Sequence, residues 1–180
     1  MNYEEALVYM NSLTKFGIKF GLDRIALLCE AFGNPHRKYK VLQVGGTNGK
    51  GSTCAFASSI LIKSGYRVGS YYSPYVNDPR ERIQLNGEMI SREEFADLIS
   101  RIAPIADQIS KTDNGSVTEF ELKTMAAYLY FAEKEVDIAV LEVGMGGRFD
   151  ATSLVQPVTA VITNVSLDHT ERLGSTIEKI

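Results

Sequence analysis

Apolar residues recur at three- and four-residue steps at the start of the chain: Tyr3, Ala6, Leu7, Met10 and Leu13. That spacing gathers them on one side of an amphipathic helix. Past Gly17 and Gly21, a second helix is expected from about Leu22 to Ala31, stopped by Gly33-Asn34-Pro35, a helix-end signal. The pattern then changes. Val41-Leu42-Gln43-Val44 is a short apolar run that ends in glycines, and it reads as a buried strand. A helix from about Lys50 to Ser64, a strand over Val68–Tyr72 and an irregular stretch rich in Asn, Asp, Pro and Arg to about Ile90 follow. Ser91 opens a helix to about Lys111. Ser116 with Glu119, and Thr118 with Glu121, are overlapping capping boxes for a helix reaching about Glu135. Ile138–Leu141 and Val158–Ile162 read as a third and a fourth strand. Unalternating apolar strands separated by helices predict an α/β fold, a mostly parallel sheet covered by helices on both faces. Ser175 and Glu178 form a last capping box, so the chain is expected to stop in the first turn of a helix and to be part of a longer protein.

Composition narrows the classes of function. Of 180 residues, 44% are hydrophobic and 23% charged, enough for one domain with its own core. A net charge of -3 offers no basic field to hold a nucleic-acid backbone. Cys29 and Cys54 form no motif and read as small buried residues in a reducing compartment. The start Met1-Asn2-Tyr3-Glu4-Glu5 is acidic where a secretory signal is basic. No apolar run approaches the ~20 residues of a membrane helix. A soluble cytoplasmic protein is expected.

The first strand leads through Gly45-Gly46-Thr47-Asn48-Gly49-Lys50-Gly51-Ser52-Thr53 into a helix. Glycines let backbone N–H groups turn to an anion, the helix start adds partial positive charge, and Lys50 can pair with phosphate oxygens. The strict P-loop pattern is not met, because Val44 stands at the first glycine position and Gly51 delays the hydroxyl to Ser52. The strand before and the helix after favour phosphate binding over a plain glycine turn.

Ligands of an open parallel sheet sit beyond the carboxyl ends of its strands. The four strands deliver Lys50, Ser73, Glu142 and Asp168-His169 to that edge. A carboxylate at the end of an apolar strand is costly to bury unpaired, and a divalent cation offsets the cost. Ser73 and Glu142 suit magnesium; His169 is a less usual ligand for it. Taken singly, Ser73 reads as a turn residue and His169 as a satisfied hydrogen-bonding residue. His36 lies in a polar turn and carries no expected chemistry, and Tyr71 and Tyr72 read as core and edge packing.

These residues carry a family resemblance that runs along essentially the whole chain. Gly46-Thr47-Asn48-Gly49-Lys50-Gly51-Ser52, Tyr72-Ser73-Pro74, Glu81-Arg82-Ile83 with Asn86-Gly87, Thr118-Glu119-Phe120-Glu121, the run from Leu141 to Thr152, and Leu167-Asp168-His169-Thr170 resemble the N-terminal domain of the folylpolyglutamate synthase and dihydrofolate synthase family, relatives of the Mur ligases. The resemblance implies an ATP- and magnesium-dependent ligase that phosphorylates a folate or dihydropteroate carboxylate and joins it to L-glutamate. It implies that Thr47, Asn48, Gly49, Lys50, Gly51 and Ser52 hold ATP, with Lys50 and His169 catalytic. Ser73, Glu142 and His169 would be the magnesium ligands. Thr118, Phe120, Glu121, Arg148, Phe149, Asp150 and Ala151 would line the pterin site. Phe120 is from sequence alone equally a core residue of its helix. The implied protein is a monomer that binds neither nucleic acid nor membrane. Residues 1–180 would be its ATP-binding domain, with a carbamylated lysine and a C-terminal glutamate domain beyond. Two departures stand out: Tyr75 where the family has histidine, and Ser153 where it has asparagine. The competing readings are another Mur-type amino-acid ligase and a non-catalytic nucleotide-binding module.

Overall fold

The computed structural model describes residues 1–17 and 19–180. Helices α1 (Tyr3–Ser12) and α2 (Asp23–Ala31) precede strand β1 (Lys40–Gly45), helix α3 (Lys50–Lys63) and strand β2 (Val68–Tyr71). Two short strands, β3 (Ile83–Leu85) and β4 (Glu88–Met89), lead into helices α4 (Arg92–Ile109) and α5 (Glu119–Glu133). Strand β5 (Ile138–Glu142), strand β6 (Thr159–Ile162) and helix α6 (Thr170–Leu173) complete the order. The sheet runs β4-β3-β2-β5-β1-β6. Its β2-β5-β1-β6 part is parallel, and β3 and β4 join it antiparallel.

The unalternating apolar strands follow from burial on both faces. Val44, Val68 and Val140 pack with Cys54 of α3 on one face. Val41, Tyr71, Ala139 and Leu141 turn the other way, into the larger core of α1, α2, α4 and α5. The crossover through α3 thus lies on one face and that through α4 and α5 on the other. The connections leaving the parallel neighbours β1 and β5 go to opposite faces, the position where such sheets open a crevice at their carboxyl edge.

The irregular stretch expected before Ile90 contains the β3–β4 hairpin. Its turn is Asn86-Gly87, at φ 50° and 86°, the positive pair a two-residue hairpin turn requires. Asn86 Oδ1 also accepts the Val68 N–H at 2.8 Å, tying the turn to β2. Strands of three and two residues have too few positions to show a period. Of the two expected capping boxes before α5, Thr118 with Glu121 forms. Glu119, offered to Ser116, instead pairs with Lys123 at 2.6 Å.

The helix expected from Ser175 does not form. Gly174, at φ 110°, ends α6, and residues 177–179 make a turn. His36, expected in a polar turn, is buried against the Tyr128 ring with centroids 5.6 Å apart. Both cysteines are buried. Among the described residues no helix is long and apolar enough to cross a membrane.

Candidate active site

The loop between β1 and α3 is shaped by two glycines in the left-handed region, Gly46 at φ 127° and Gly49 at φ 80°. At Gly46 a side chain is also excluded sterically, because a Cβ would strike Thr163 Oγ1 and sit 2.9 Å from the Asn164 carbonyl. The loop is strapped to the chain leaving β6. Thr47 N–H donates to Asn164 O at 2.9 Å and Asn48 N–H to Asn164 Oδ1 at 3.2 Å. Asn164 Nδ2 and Thr163 Oγ1 both donate to Asn48 O, at 2.9 and 2.7 Å, and Ser166 N–H donates to Thr47 Oγ1 at 3.0 Å.

Thr47 and Asn48 therefore spend their N–H groups on holding the loop. The donors left for an anion are those of the first turn of α3, Lys50 to Ser52, which no helix satisfies internally. Lys50 Nζ folds back over the loop and donates to the Gly46 and Thr47 carbonyls at 2.8 and 3.1 Å. Thr163, Asn164 and Ser166 were missed by sequence reasoning. Their signal was polar residues directly after an apolar strand, at the edge where ligands gather.

Glu142 closes β5 beside this loop. Its carboxylate is 5% exposed and its Oε2 accepts the Ser73 N–H at 2.9 Å. A Cβ on Gly51 would lie 3.4 Å from the same oxygen, in ordinary contact, so the start of α3 runs close beside the carboxylate. Burial pushes the carboxyl upward, opposed by the Ser73 N–H and by the Lys50 and Arg82 charges. Ser73 Oγ lies 3.1 Å from Arg82 Nη1 and accepts from it.

His169 caps α6 at φ 48°, its side chain about half exposed. It lines a cleft of about 180 Å³ together with Lys50, and it also lines the cavity that contains Ser73. Ser73, Glu142, Lys50 and His169 thus share one edge. Among the described residues no three His, Cys, Asp or Glu side chains converge. A cation here would draw on one carboxylate, a hydroxyl and an imidazole, with its other ligands from water or phosphate. Magnesium tolerates that set, since it keeps several waters and takes few protein oxygens. The observation that fits it is Glu142, a buried carboxylate that among the described residues has a single hydrogen bond and no ion-paired partner.

Beyond Ser73 opens a cavity of about 470 Å³, lined among others by Phe20, Arg82, Phe120, Phe149 and Ala151. Phe120 leans on Tyr71, with centroids 6.3 Å apart. Its ring takes the space a side chain on Gly144 would need, coming within 2.7 Å of a Cβ placed there. Thr118, Glu121 and Asp150 line the cavity too, but their polar atoms serve the walls. Glu121 accepts from Thr118 at 2.8 and 2.9 Å and pairs with buried Arg24 at 3.0 Å. Arg24 in turn donates to the Lys19 carbonyl at 3.2 Å, fixing the segment that brings Phe20 to the rim.

Asp150 accepts from Thr152 Oγ1 and N–H at 2.6 and 2.9 Å and from Met145 N–H at 2.9 Å. Burial raises its carboxyl and these bonds oppose the rise. Arg148 is exposed and does not line the cavity, so the structure does not bring it to the other expected substrate residues. Ser153 takes a 2.8 Å hydrogen bond from Gln43 of β1. Tyr75 lies against two cations, 5.4 Å from the Arg82 guanidinium and 5.2 Å from Lys123 Nζ. Lys123 is drawn down to about 8, first by burial and next by Arg82.

A parallel sheet whose carboxyl edge presents a glycine loop and a helix start beside a roomy aromatic cavity places this chain among the α/β domains that hold ligands at that edge. Residues 44–180 match the model of the Mur ligase middle domain. The chain belongs to that family. It is 45% identical over 179 residues to the dihydrofolate synthase/folylpolyglutamate synthase of Bacillus subtilis, covering 99% of this chain and 42% of that protein. The folylpolyglutamate synthase structure from Thermotoga maritima superposes with a TM-score of 0.87 at 48% identity, over 94% of this chain and 39% of that one. E. coli FolC in complex with DHPP and ADP gives 0.91 at 35% identity, over 99% and 42%. The chain thus spans about two fifths of the length of the proteins it matches.

Proposed function

We propose that this chain supplies the ATP, magnesium and pterin sites of a ligase that adds L-glutamate to folate or dihydropteroate, with the amine site formed by sequence outside these 180 residues. The observation that carries the reading is the 2.9 Å bond from Ser73 N–H to Glu142. It joins the rim of the aromatic cavity to the carboxylate beside the phosphate loop, so an acid held in one can meet a phosphate held by the other. The complex of E. coli FolC with DHPP and ADP supports the pairing of those two kinds of ligand.

The reaction asks for positioning and charge neutralisation more than covalent help. A substrate carboxylate oxygen attacks the terminal phosphorus of ATP and ADP leaves. The glutamate amine then attacks the acyl carbon and phosphate departs, leaving an amide. The first-turn N–H groups of α3 hold phosphate oxygens, and Lys50 exchanges the Gly46 and Thr47 carbonyls for them. Glu142, Ser73 and His169 would hold magnesium, which supplies further neutralisation of phosphate charge. Phe120 offers a ring against which a flat pterin packs. Thr118, Glu121 and Asp150 keep the cavity walls in place for it. The working unit is a monomer in the cytoplasm, where ATP and folates are available as soluble substrates.

The test is ADP release by the intact protein with ATP, glutamate and either pteroate, a folate or a uridine-linked muramyl acceptor. Release with the pterin acids and none with the muramyl compound is expected. The opposite preference rejects the pterin reading and leaves another Mur-type ligase.

A further inference from the structure

Most charged side chains around the aromatic cavity are already spoken for. Arg24 pairs with Glu121 and Lys123 with Glu119, and Asp150 is filled by Thr152 and Met145. Arg82 is different. It is 7% exposed and lines the cavity, yet among the described residues it has no carboxylate within ion-pair distance. Only its Nη1 finds acceptors, Ser73 Oγ at 3.1 Å and the Tyr72 carbonyl at 3.5 Å. Its Nε is buried with no partner at all. The guanidinium is meanwhile flanked by Tyr75 at 5.4 Å and Phe120 at 5.8 Å, which fix its plane.

A guanidinium presents paired N–H groups as a fork that matches the two oxygens of a carboxylate. A buried cation without a carboxylate partner is unfavourable, and a ligand carboxylate in the cavity that Arg82 lines supplies that partner. We propose that Arg82 is the group that binds the acid end of the cavity's ligand, a planar aromatic carboxylate whose ring system packs on Phe120. Its bond to Ser73, which in turn donates to Glu142, sets that acid at the cavity rim nearest the phosphate loop. Arg82 thereby selects for substrates that carry an anionic acid and aims the carboxylate at the site of phosphorylation. The proposal rests on the pterin-acid reading of the cavity.

The test compares equilibrium binding of pteroate and its neutral carboxamide to the intact protein, without nucleotide. Wild-type protein is expected to prefer pteroate on the order of 10- to 100-fold, the range of a charge-assisted hydrogen bond lost. Arg82→Gln is expected to level the two ligands by weakening pteroate alone, and Arg82→Lys, which keeps the charge but loses the fork, to fall between. Equal binding of both ligands by the wild type overturns the clamp while leaving the pterin reading intact. Failure of the wild type to bind either one rejects both together. Equal loss of both ligands in Arg82→Gln assigns the residue to shaping the cavity and likewise overturns the clamp. The wild-type comparison stands even where a variant fails to fold.

Discussion

Ser73 N–H donates to Glu142 Oε2 at 2.9 Å, linking the chain just past the end of β2 to the last residue of β5. The bond stabilises a carboxylate that burial otherwise pushes toward its protonated form. Glu142→Gln separates charge from shape. The amide oxygen still accepts the Ser73 N–H, and a neutral group is easier to bury. The variant is therefore expected to melt no lower than wild type. The magnesium needed for half-maximal ADP release should rise at least ~10-fold. A magnesium titration paired with thermal melts checks both halves, and an unchanged titration removes Glu142 from the metal site.

The loop between β1 and α3 depends on a residue outside it. Asn164 accepts from Asn48 N–H and donates to Asn48 O, at 3.2 and 2.9 Å. Asn164→Ala removes both bonds and loosens the strap, leaving the bonds of Thr47 N–H to the residue 164 carbonyl and of Thr163 Oγ1 to Asn48 O. Affinity for a non-hydrolysable ATP analogue is expected to fall about 10- to 30-fold, from two hydrogen bonds of ~1 kcal/mol each. Lys50→Ala, which leaves the loop strapped, should abolish ligation with little change in melting temperature. Nucleotide titration and activity measured side by side tell the two roles apart.

The parallel core and the loop were legible because their signals are local. An apolar run ending in Gly45-Gly46 and a helix opening at Lys50 are each readable within a few residues. Capping worked for the same reason, with Ser91 and Thr118 placed where helices α4 and α5 start. What stayed hidden depends on distant partners. Gly46 is forced by Thr163 and Asn164, more than 100 residues away in sequence and adjacent only in the sheet. Glu121 and Asp150 line the cavity, but their oxygens turn to Arg24 and Thr152. His36 reads as polar because its neighbours in sequence are, while in space it packs on the Tyr128 ring.

The Arg24–Glu121 pair is buried at both ends, with side-chain exposures of 8% and 3%. Arg24→Ala leaves the Glu121 carboxylate without its cation and the Lys19 carbonyl without a donor. The expected loss is about 3–5 kcal/mol, the range for breaking one side of a buried pair. Replacing both residues together by Met and Leu should recover much of it, since no uncompensated charge then remains. Denaturant unfolding of the single and double variants checks this. Equal losses in both would show that the pair acts through its packing volume and not its charges.

His36 has a pH signature of its own. Among the described residues both ring nitrogens are buried without hydrogen-bond partners, and burial, followed by the nearby Arg37 charge, lowers its affinity for protons below the ordinary value of 6.5. The unfolded chain therefore binds a proton on this side chain at a pH where the folded chain does not. Stability contributed by neutral His36 is present above about pH 6.5 and is lost progressively as the pH falls below it. Glu142 and Asp150, whose carboxyls are raised by burial, act in the opposite sense, so the total curve blends these groups. A variant comparison isolates the histidine. Between pH 7 and pH 5.5 the melting temperature of wild type is expected to drop more than that of His36→Phe, by roughly 2–4 °C for each kcal/mol of linkage. Phenylalanine keeps the contact with the Tyr128 ring and has no nitrogen to protonate. Parallel melting curves for the two proteins across that range would remove His36 as a source of acid sensitivity.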